Sequence, residues 1–395
     1  MRSLVLYVGQ FSEPEGNAAG KRVFGNALIL EALGFDVLML GKTQIKNSSG
    51  RINYSKHISF ESFPNYGKLR YGKYALYLEN YIKSLQIKPV CIIRYGSPGL
   101  SLFDNRVLRF AKKEDIKVIA DVVDWLRADS GSLIFNIVKS LDIYLEKAVF
   151  NKKSDGIIAI SNYLADYYKK RNKKVVVIPP VVAKYRINKA QNDVTRIIYA
   201  GIPFRLGSKK KDTHSLKDRL DLAIESLAEV FFDGSKPFSF SIFGITKEQY
   251  LFTFPRHEKL LEDVGDIIKF YGQRPMKEIQ AELLESDFSI LLREKNRATS
   301  AGFPTKVVES MSCGVPIITT RTSDLDKYIK NGINGFFVDI NDSDSLVSQL
   351  KSIISISHDE LQVIKNNCFE DTHFLPIAFE NKMREFLDIV IGEKT

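Results

Sequence analysis

The chain has 395 residues, 44% of them hydrophobic and 26% charged, with a formal net charge of +10 and a pI near 9.2. That length exceeds what one ordinary core fills, so two domains are expected, and the composition is that of a globular protein rather than a disordered one. The positive excess favours polyanionic partners such as nucleic acid, an anionic membrane face or a phosphorylated substrate. Cys91, Cys313 and Cys368 are far apart and odd in number, which implies no disulfide framework.

Short apolar strand-like runs alternate with helical stretches along the whole chain, the pattern of βαβ units and parallel sheets. The first run, Leu4–Val8, is too short for a signal peptide or a membrane span and reads as a first strand, so a cytosolic protein is expected. A Gly-rich loop follows, "GQFSEPEGNAAGKRVFGNAL". Gly16, Gly20 and Lys21 fall one residue short of a phosphate loop, and Arg22 stands where a Ser or Thr would hold magnesium, so a nucleotide triphosphatase is rejected. A helix over about Arg22 to Leu33 ends at Gly34, and further strands are expected at Val37–Leu40, Val90–Arg94, Val118–Asp121, Ile157–Ile160 and Val175–Ile178. Between them, Tyr66 to Leu85 alternates Tyr with Lys and Arg on an expected helix; that face could rest on an anionic membrane, hold a lipid-diphosphate acceptor, or simply turn its tyrosines to the core.

Pro179 and Pro180 break the pattern, and the polar stretch from Val181 to Val194 reads as a linker. The pattern restarts at Ile197–Ala200 and continues with strands at Phe238–Phe243, Ile267–Tyr271, Phe288–Leu292, Ile317–Thr319 and Phe336–Val338. The final segment, Pro376 to Ile391, is amphipathic. The expected organisation is therefore a Rossmann-like domain over 1–182, a second over 195–375, and a terminal helical segment over 376–395.

Gly302 to Asp339, "GFPTKVVESMSCGVPIITTRTSDLDKYIKNGINGFFVD", carries the most information. A Gly-Phe-Pro turn leads into a short helix bearing Glu309, then a Gly-Val-Pro break, a strand, and a second helix closed by Asn-Gly. That order puts a helix N-terminus at the top of a parallel sheet, where a phosphate binds well. The segment resembles the donor-sugar-nucleotide site of family 4 glycosyltransferases of the GT-B fold. Two further stretches extend the resemblance: Tyr199-Ala200-Gly201 with Arg205 and Lys211-Asp212, and Asp155, Ser161, Ile178 and Pro179 at the end of the first domain.

The resemblance implies an α/β GT-B architecture, with two Rossmann-like domains facing a cleft and a C-terminal helix crossing back to the first domain. It implies transfer of a sugar from a nucleotide-diphosphate donor to a glycan or lipid-linked acceptor hydroxyl, with retention, in bacterial surface polysaccharide synthesis. It also implies a cytoplasmic enzyme, in peripheral contact with an anionic membrane and without nucleic-acid partners. Arg205, Lys211 and the amides of Gly302 and Phe303 would stabilise the departing diphosphate, and Glu309 would grip the ribose. Arg293 and Lys306, beside Pro304 and Thr305, would add charge or hold the donor sugar, with Gly16, Gly20 and Gly201 lining the donor. The chemistry asks for cations there, because negative charge grows on the leaving diphosphate. An inserted basic stretch leaves Lys209, Lys210 and Lys211 as alternatives.

One departure stands out: the family's first glutamate would fall at Ala301. It keeps open a non-catalytic binding protein, while a nucleotide-sugar epimerase would need acid/base residues that do not show. On the acceptor side Asp121 and Asp124 are the candidate carboxylates and Trp125 a candidate for stacking on a sugar; Asp124 could equally cap a helix. No cofactor and no metal are expected. The five histidines show no ligand spacing, and Asp342-x-Asp344 reads as a capped helix start.

Overall fold

The computed structural model describes residues 2–14, 16–42, 50–64, 71–96, 101–126, 128, 133–172, 174–183, 193–204, 206, 216–234 and 236–392. The chain divides into two compact units: residues 1–183, 300–303 and 374–395 form unit 1, and residues 184–299 and 304–373 form unit 2.

Unit 1 opens with β1 (Ser3–Val8), α1 (Ala18–Ala32), β2 (Phe35–Gly41), β3 (Ile52–Asn53), β4 (Ile58–Ser62) and α2 (Tyr71–Ser84). It continues with β5 (Cys91–Tyr95), α3 (Ser101–Lys113), β6 (Lys117–Val122) and α4 (Leu133–Leu145). A π-helical turn, Glu146–Phe150, joins α4 to the short α5 (Asn151–Lys153), and β7 (Gly156–Ala159), α6 (Asn162–Lys169) and β8 (Val175–Val177) follow. The eight strands are ordered β3-β4-β2-β1-β5-β6-β7-β8, all parallel except the β3–β4 pair. Central strands such as β1 are buried on both faces and accordingly read as unbroken apolar runs.

Unit 2 contains β9 (Thr195–Ala200), α7 (Leu220–Phe232), β10 (Phe238–Phe243), α8 (Lys247–Thr253), α9 (Glu258–Asp263), β11 (Ile268–Gly272), α10 (Met276–Leu284) and β12 (Phe288–Leu291). Then come α11 (Arg297–Ala301), whose last two residues belong to unit 1, α12 (Thr305–Ser312), β13 (Ile317–Thr319), β14 (Gly335–Phe337), α13 (Ser343–Ile354) and α14 (His358–Glu370). Its six strands run parallel in the order β11-β10-β9-β12-β13-β14. The sequence of strands reverses direction between β9 and β12, and in open α/β sheets a ligand crevice forms outside the strand ends at such a switch point. The last helix, α15 (Glu380–Ile391), packs in unit 1, where Met383, Phe386, Leu387 and Val390 join the core with Val23 and Ile158.

Three local expectations need correction. Helix α1 begins at Ala18, capped by the Asn17 side chain, which accepts from Gly20 N at 2.8 Å. Gly20 therefore lies in the first helical turn and not in the loop. A Cβ there would sit 2.4 Å from Glu13 O, so the residue is glycine because backbone passes against backbone. The second helix expected after β13 is only a 3₁₀ turn, Leu325–Lys327. Asn334 holds the following loop open by accepting from Lys330 N and donating to Tyr328 O. Finally, β3 and β4 were not anticipated, being short and half polar.

Candidate functional site

The switch point of unit 2 gathers charge. Asp218, 1% exposed, lies just before α7, where its amide donates to Pro203 O at 3.0 Å. Its carboxylate accepts from Arg293 Nε at 2.7 Å, from Lys306 Nζ at 2.6 Å and from the Tyr199 hydroxyl at 2.6 Å. Tyr199 comes from the end of β9, Arg293 follows β12, and Lys306 sits in the first turn of α12. Thr320, just past β13, fixes the Arg293 backbone: its hydroxyl donates to Arg293 O at 2.7 Å and accepts from Arg293 N at 3.0 Å. Five chain segments thus converge at the C-terminal edge of one parallel sheet.

The electrostatics of the cluster follow from its membership. Two cations share one carboxylate, so the group carries a net charge of about +1. Burial alone would raise the Asp218 carboxyl, but Lys306 and then Arg293 hold it well below the usual range. Burial pulls the Lys306 ammonium down to about 8, with Asp218 opposing and Arg293 reinforcing that shift. Burial, then Asp218, pushes the Tyr199 hydroxyl well up. Lys306 is the member that meets solvent, with a side chain 21% exposed against 1% for Asp218 and 9% for Arg293.

Gly201 makes the approach possible. It has φ +147°, and a Cβ there would lie 2.3 Å from both Lys306 Cε and Nζ. The Lys306 ammonium instead lies 4.1 Å from the Tyr199 ring centroid, in a cation–π contact over its face. Pro304 precedes α12 without any side-chain cap, and the half-buried Glu309 comes one turn after Thr305 and Lys306. Gly302 and Phe303 belong to unit 1, where the Phe303 ring packs edge-on against Phe374 at 5.8 Å. Arg205 and Lys211, with Lys209 and Lys210, lie outside the described residues.

The structure therefore brings Gly201, Arg293 and Lys306 together. It adds Asp218 and Tyr199 as their organisers. Asp218 lies in "SLKDRLDL" with no spacing signal to mark it; Tyr199 was visible only as part of Tyr-Ala-Gly.

In unit 1 the acceptor-side candidates separate. Asp121 is fully buried and accepts from Arg22 Nη2 at 2.6 Å and from the Tyr7 hydroxyl at 2.5 Å, and Arg22 Nη1 donates to Ile178 O at 2.9 Å. That carboxylate ties β6 to α1 and β1 and is enclosed, and Arg22 extends the link to the residue after β8. Asp124 is exposed after β6, and the described part of α4 starts at Leu133. One face of Trp125 lies under the Lys147 ammonium at 3.8 Å, with Tyr167 edge-on at 4.9 Å. Gly16 donates to Glu13 O in a tight turn, and a Cβ on it would strike Ser12 Oγ at 2.3 Å.

A second buried group in unit 1 pairs Arg94 with Asp104 and places Glu146 nearby, in the π-helical turn. Burial raises Asp104 to about 6 despite Arg94, and raises Glu146 to about 8. Three tyrosines of α2 are packed rather than presented: Tyr74 and Tyr77 meet Phe63, and the Tyr81 hydroxyl donates to Glu61 at 2.6 Å. Residues 66–70 of that stretch lie outside the described residues. Asp342 caps α13, accepting from Asp344 N and Ser345 N. Among the described residues no group of three or more His, Cys, Asp or Glu is arranged to hold a metal ion.

Residues 214–368 match the family model of glycosyl transferases group 1. WcaL of Salmonella typhimurium, provisionally named a colanic acid biosynthesis glycosyltransferase, is 27% identical over 188 residues, 46% of this chain and 45% of that protein. The amylovoran biosynthesis glycosyltransferase AmsK of Erwinia amylovora is 27% identical over 104 residues, 26% of this chain and 25% of its own length. The chain thus aligns with less than half the length of these curated relatives. Two solved structures share the fold: sucrose-phosphate synthase of Thermosynechococcus elongatus, with TM-score 0.67 and 15% identity over 98% of both chains, and Anabaena HepE in complex with UDP and glucose, with TM-score 0.63 and 14% identity over 98% of this chain and 100% of the other. Part of the chain is thus similar to glycosyl transferases group 1, and the two-unit α/β fold with parallel sheets is shared with these GT-B structures.

Proposed function

We propose that the protein is a retaining glycosyltransferase of family 4, moving a sugar from a nucleotide-diphosphate donor to an acceptor hydroxyl in bacterial surface polysaccharide synthesis. The observation that carries this reading is the cluster at the switch point of unit 2. There Lys306, exposed on one side and held by Asp218, lies against Gly201 in the first turn of α12.

Bond breaking between the sugar and the diphosphate leaves charge on phosphate oxygens. Lys306 and Arg293, joined by Arg205 and Lys211, supply cations for it, and α12 supplies its N-terminal amides with those of Gly302 and Phe303. Asp218 keeps Lys306 and Arg293 in place before the donor arrives, so little reorganisation is needed during the reaction. Attack comes from the same face that the leaving group departs, and the leaving phosphate takes the acceptor proton; no protein nucleophile is required. Asp124, exposed beyond β6, is the acceptor-side carboxylate of this reading. Glu309 holds the ribose hydroxyls, with Pro304 and Thr305 shaping the turn before it. No metal or other cofactor takes part. The resemblance to polysaccharide enzymes of enteric bacteria supports the pathway, and the net charge of +10 supports a cytoplasmic enzyme in peripheral contact with an anionic membrane face.

Ala301 favours a second reading, a protein that binds the donor without turning it over. It is fully buried and its carbonyl accepts from Ser161 Oγ at 2.6 Å, so a carboxylate is absent where the family pattern has one. Thermal shift against a panel of nucleotide diphosphates and nucleotide-sugars, with and without EDTA, followed by sugar transfer with the stabilising donor, separates the readings. A saturable, EDTA-insensitive shift with turnover supports the transferase; a shift without turnover supports the binding protein; no shift removes both. Glu309→Ala should weaken the nucleotide shift by roughly 10- to 100-fold in affinity, the loss of hydrogen bonds to a charged acceptor. Unchanged affinity would take the ribose role from Glu309.

A further inference from the structure

Helix α4 is amphipathic the wrong way round. Seven of its apolar side chains stand in water: Leu133 at 77% exposure, Ile134 at 76%, Phe135 at 53%, Ile137 at 61%, Val138 at 62%, Leu141 at 58% and Tyr144 at 63%. Its only buried residue is Ile143, and the half-buried positions on the same side are Asn136 and Lys139. At 100° per residue the exposed apolar residues other than Phe135 fall on one continuous arc, and Asn136, Lys139 and Ile143 on the opposite one. Leu102, 71% exposed, extends the patch from α3, whose first turn is tied to α4 where Ser101 N donates to Asp142 Oδ1 at 3.0 Å. A patch of this kind on a soluble surface marks an interaction site.

The surrounding charge says what covers it. On the same continuous helical rod, Lys147 follows within the π-turn, and Lys152 and Lys153 are exposed in α5. Arg109, Lys112 and Lys113 are exposed on α3. Against these, Asp142 accepts from Ser101 N, Asp104 and Glu146 are buried, and Glu114 and the exposed Asp115 follow Lys113. The apolar arc carries no charge, and the exposed Lys152 and Lys153 follow it on the same rod, an arrangement suited to a helix lying in the headgroup layer of an anionic bilayer. Thirteen residues span about 20 Å, too short to cross.

We propose that α4 is a membrane-docking helix that sets its Ile134, Ile137, Val138 and Leu141 face into the interfacial layer of an anionic lipid surface. This narrows the peripheral contact stated above to one element, and it places the contact on α4 rather than on the packed tyrosines of α2. It does not depend on the transferase reading, because it is measured without donor, acceptor or turnover.

The test is co-sedimentation of the full-length protein with phosphatidylcholine vesicles, with and without phosphatidylglycerol. The wild type should bind the phosphatidylglycerol vesicles, more weakly at high salt, and bind pure phosphatidylcholine poorly. The triple variant Ile134→Glu, Ile137→Glu, Leu141→Glu changes side chains already in water, so its melting temperature should stay unchanged while vesicle binding falls at least tenfold. Lys152→Glu with Lys153→Glu should lower binding by roughly tenfold or more through charge alone. Three outcomes overturn the proposal: no binding by the wild type, equal binding by the triple variant, or a wild-type dimer in sedimentation analysis that the triple variant abolishes, which would make a second copy of the chain the occupant.

Discussion

Each unit holds an arginine and a tyrosine around a buried aspartate, and the two clusters differ in how they end. In unit 1, Arg22, Asp121, Tyr7 and Asn26 are all 2% exposed or less, and Arg22 spends its remaining donor on a backbone carbonyl. In unit 2, Asp218 has a second cation, Lys306, whose side chain reaches solvent beside Gly201. A closed ion pair joins elements; an open one with a surplus cation is set up to meet an anion. The same residue types therefore have different uses, decided by one extra charge and by access.

The largest effect expected from this contrast is on the closed cluster. Arg22→Ala leaves Asp121 buried and uncompensated, and should cost about 3–5 kcal/mol of stability. Chemical denaturation would show it, and a loss below 1 kcal/mol would mean that the carboxylate can be hydrated after all. Next, Lys306→Ala should leave folding nearly intact, since Arg293 still neutralises Asp218. Sugar transfer should nevertheless fall by about 10²–10³ at saturating donor, the scale of removing one stabilising group from a developing anion. Wild-type turnover would remove Lys306 from the mechanism.

The smallest effect is on pH. Burial brings the Lys306 ammonium down to about 8. Because its folded value lies below its unfolded one, deprotonation above 8 does not destabilise the fold through this group; it removes the charge offered to the donor. Donor affinity measured by calorimetry should thus be constant below pH 7 and fall by several-fold by pH 9, and Lys306→Met should flatten the profile. An unchanged slope in the variant would assign the titration elsewhere.

The strands were legible because buried parallel strands must be apolar runs bounded by turns, and Phe238–Phe243 and Ile317–Thr319 coincide with β10 and β13. Arg293 and Lys306 were legible through the family pattern, and the structure gives them a shared partner. Asp218 was not: its importance is purely three-dimensional, arising when α7 starts beneath β9 and β12. The α4 patch was hidden for a different reason. Periodicity reveals that a helix has two faces but not which of them turns inward, and the usual assumption that the apolar face does fails there. Asp121 and Asp124 looked equivalent by spacing, and strand geometry alone enclosed one and exposed the other.

The final helix bears on how the protein is made. Its Met383, Phe386, Leu387 and Val390 are part of the core of unit 1, and the Cβ that Gly156 lacks would collide with Phe386 at 2.6 Å. Unit 1 is thus begun before unit 2 and completed only after the described strands of unit 2 have been made. The described strands of unit 2 are all in hand by residue 337, whereas unit 1 waits for residues 380–391 before its apolar β-sheet is sealed. During that interval the nascent chain carries an unsealed sheet, and residues 380–391 act as the last stitch of the first unit.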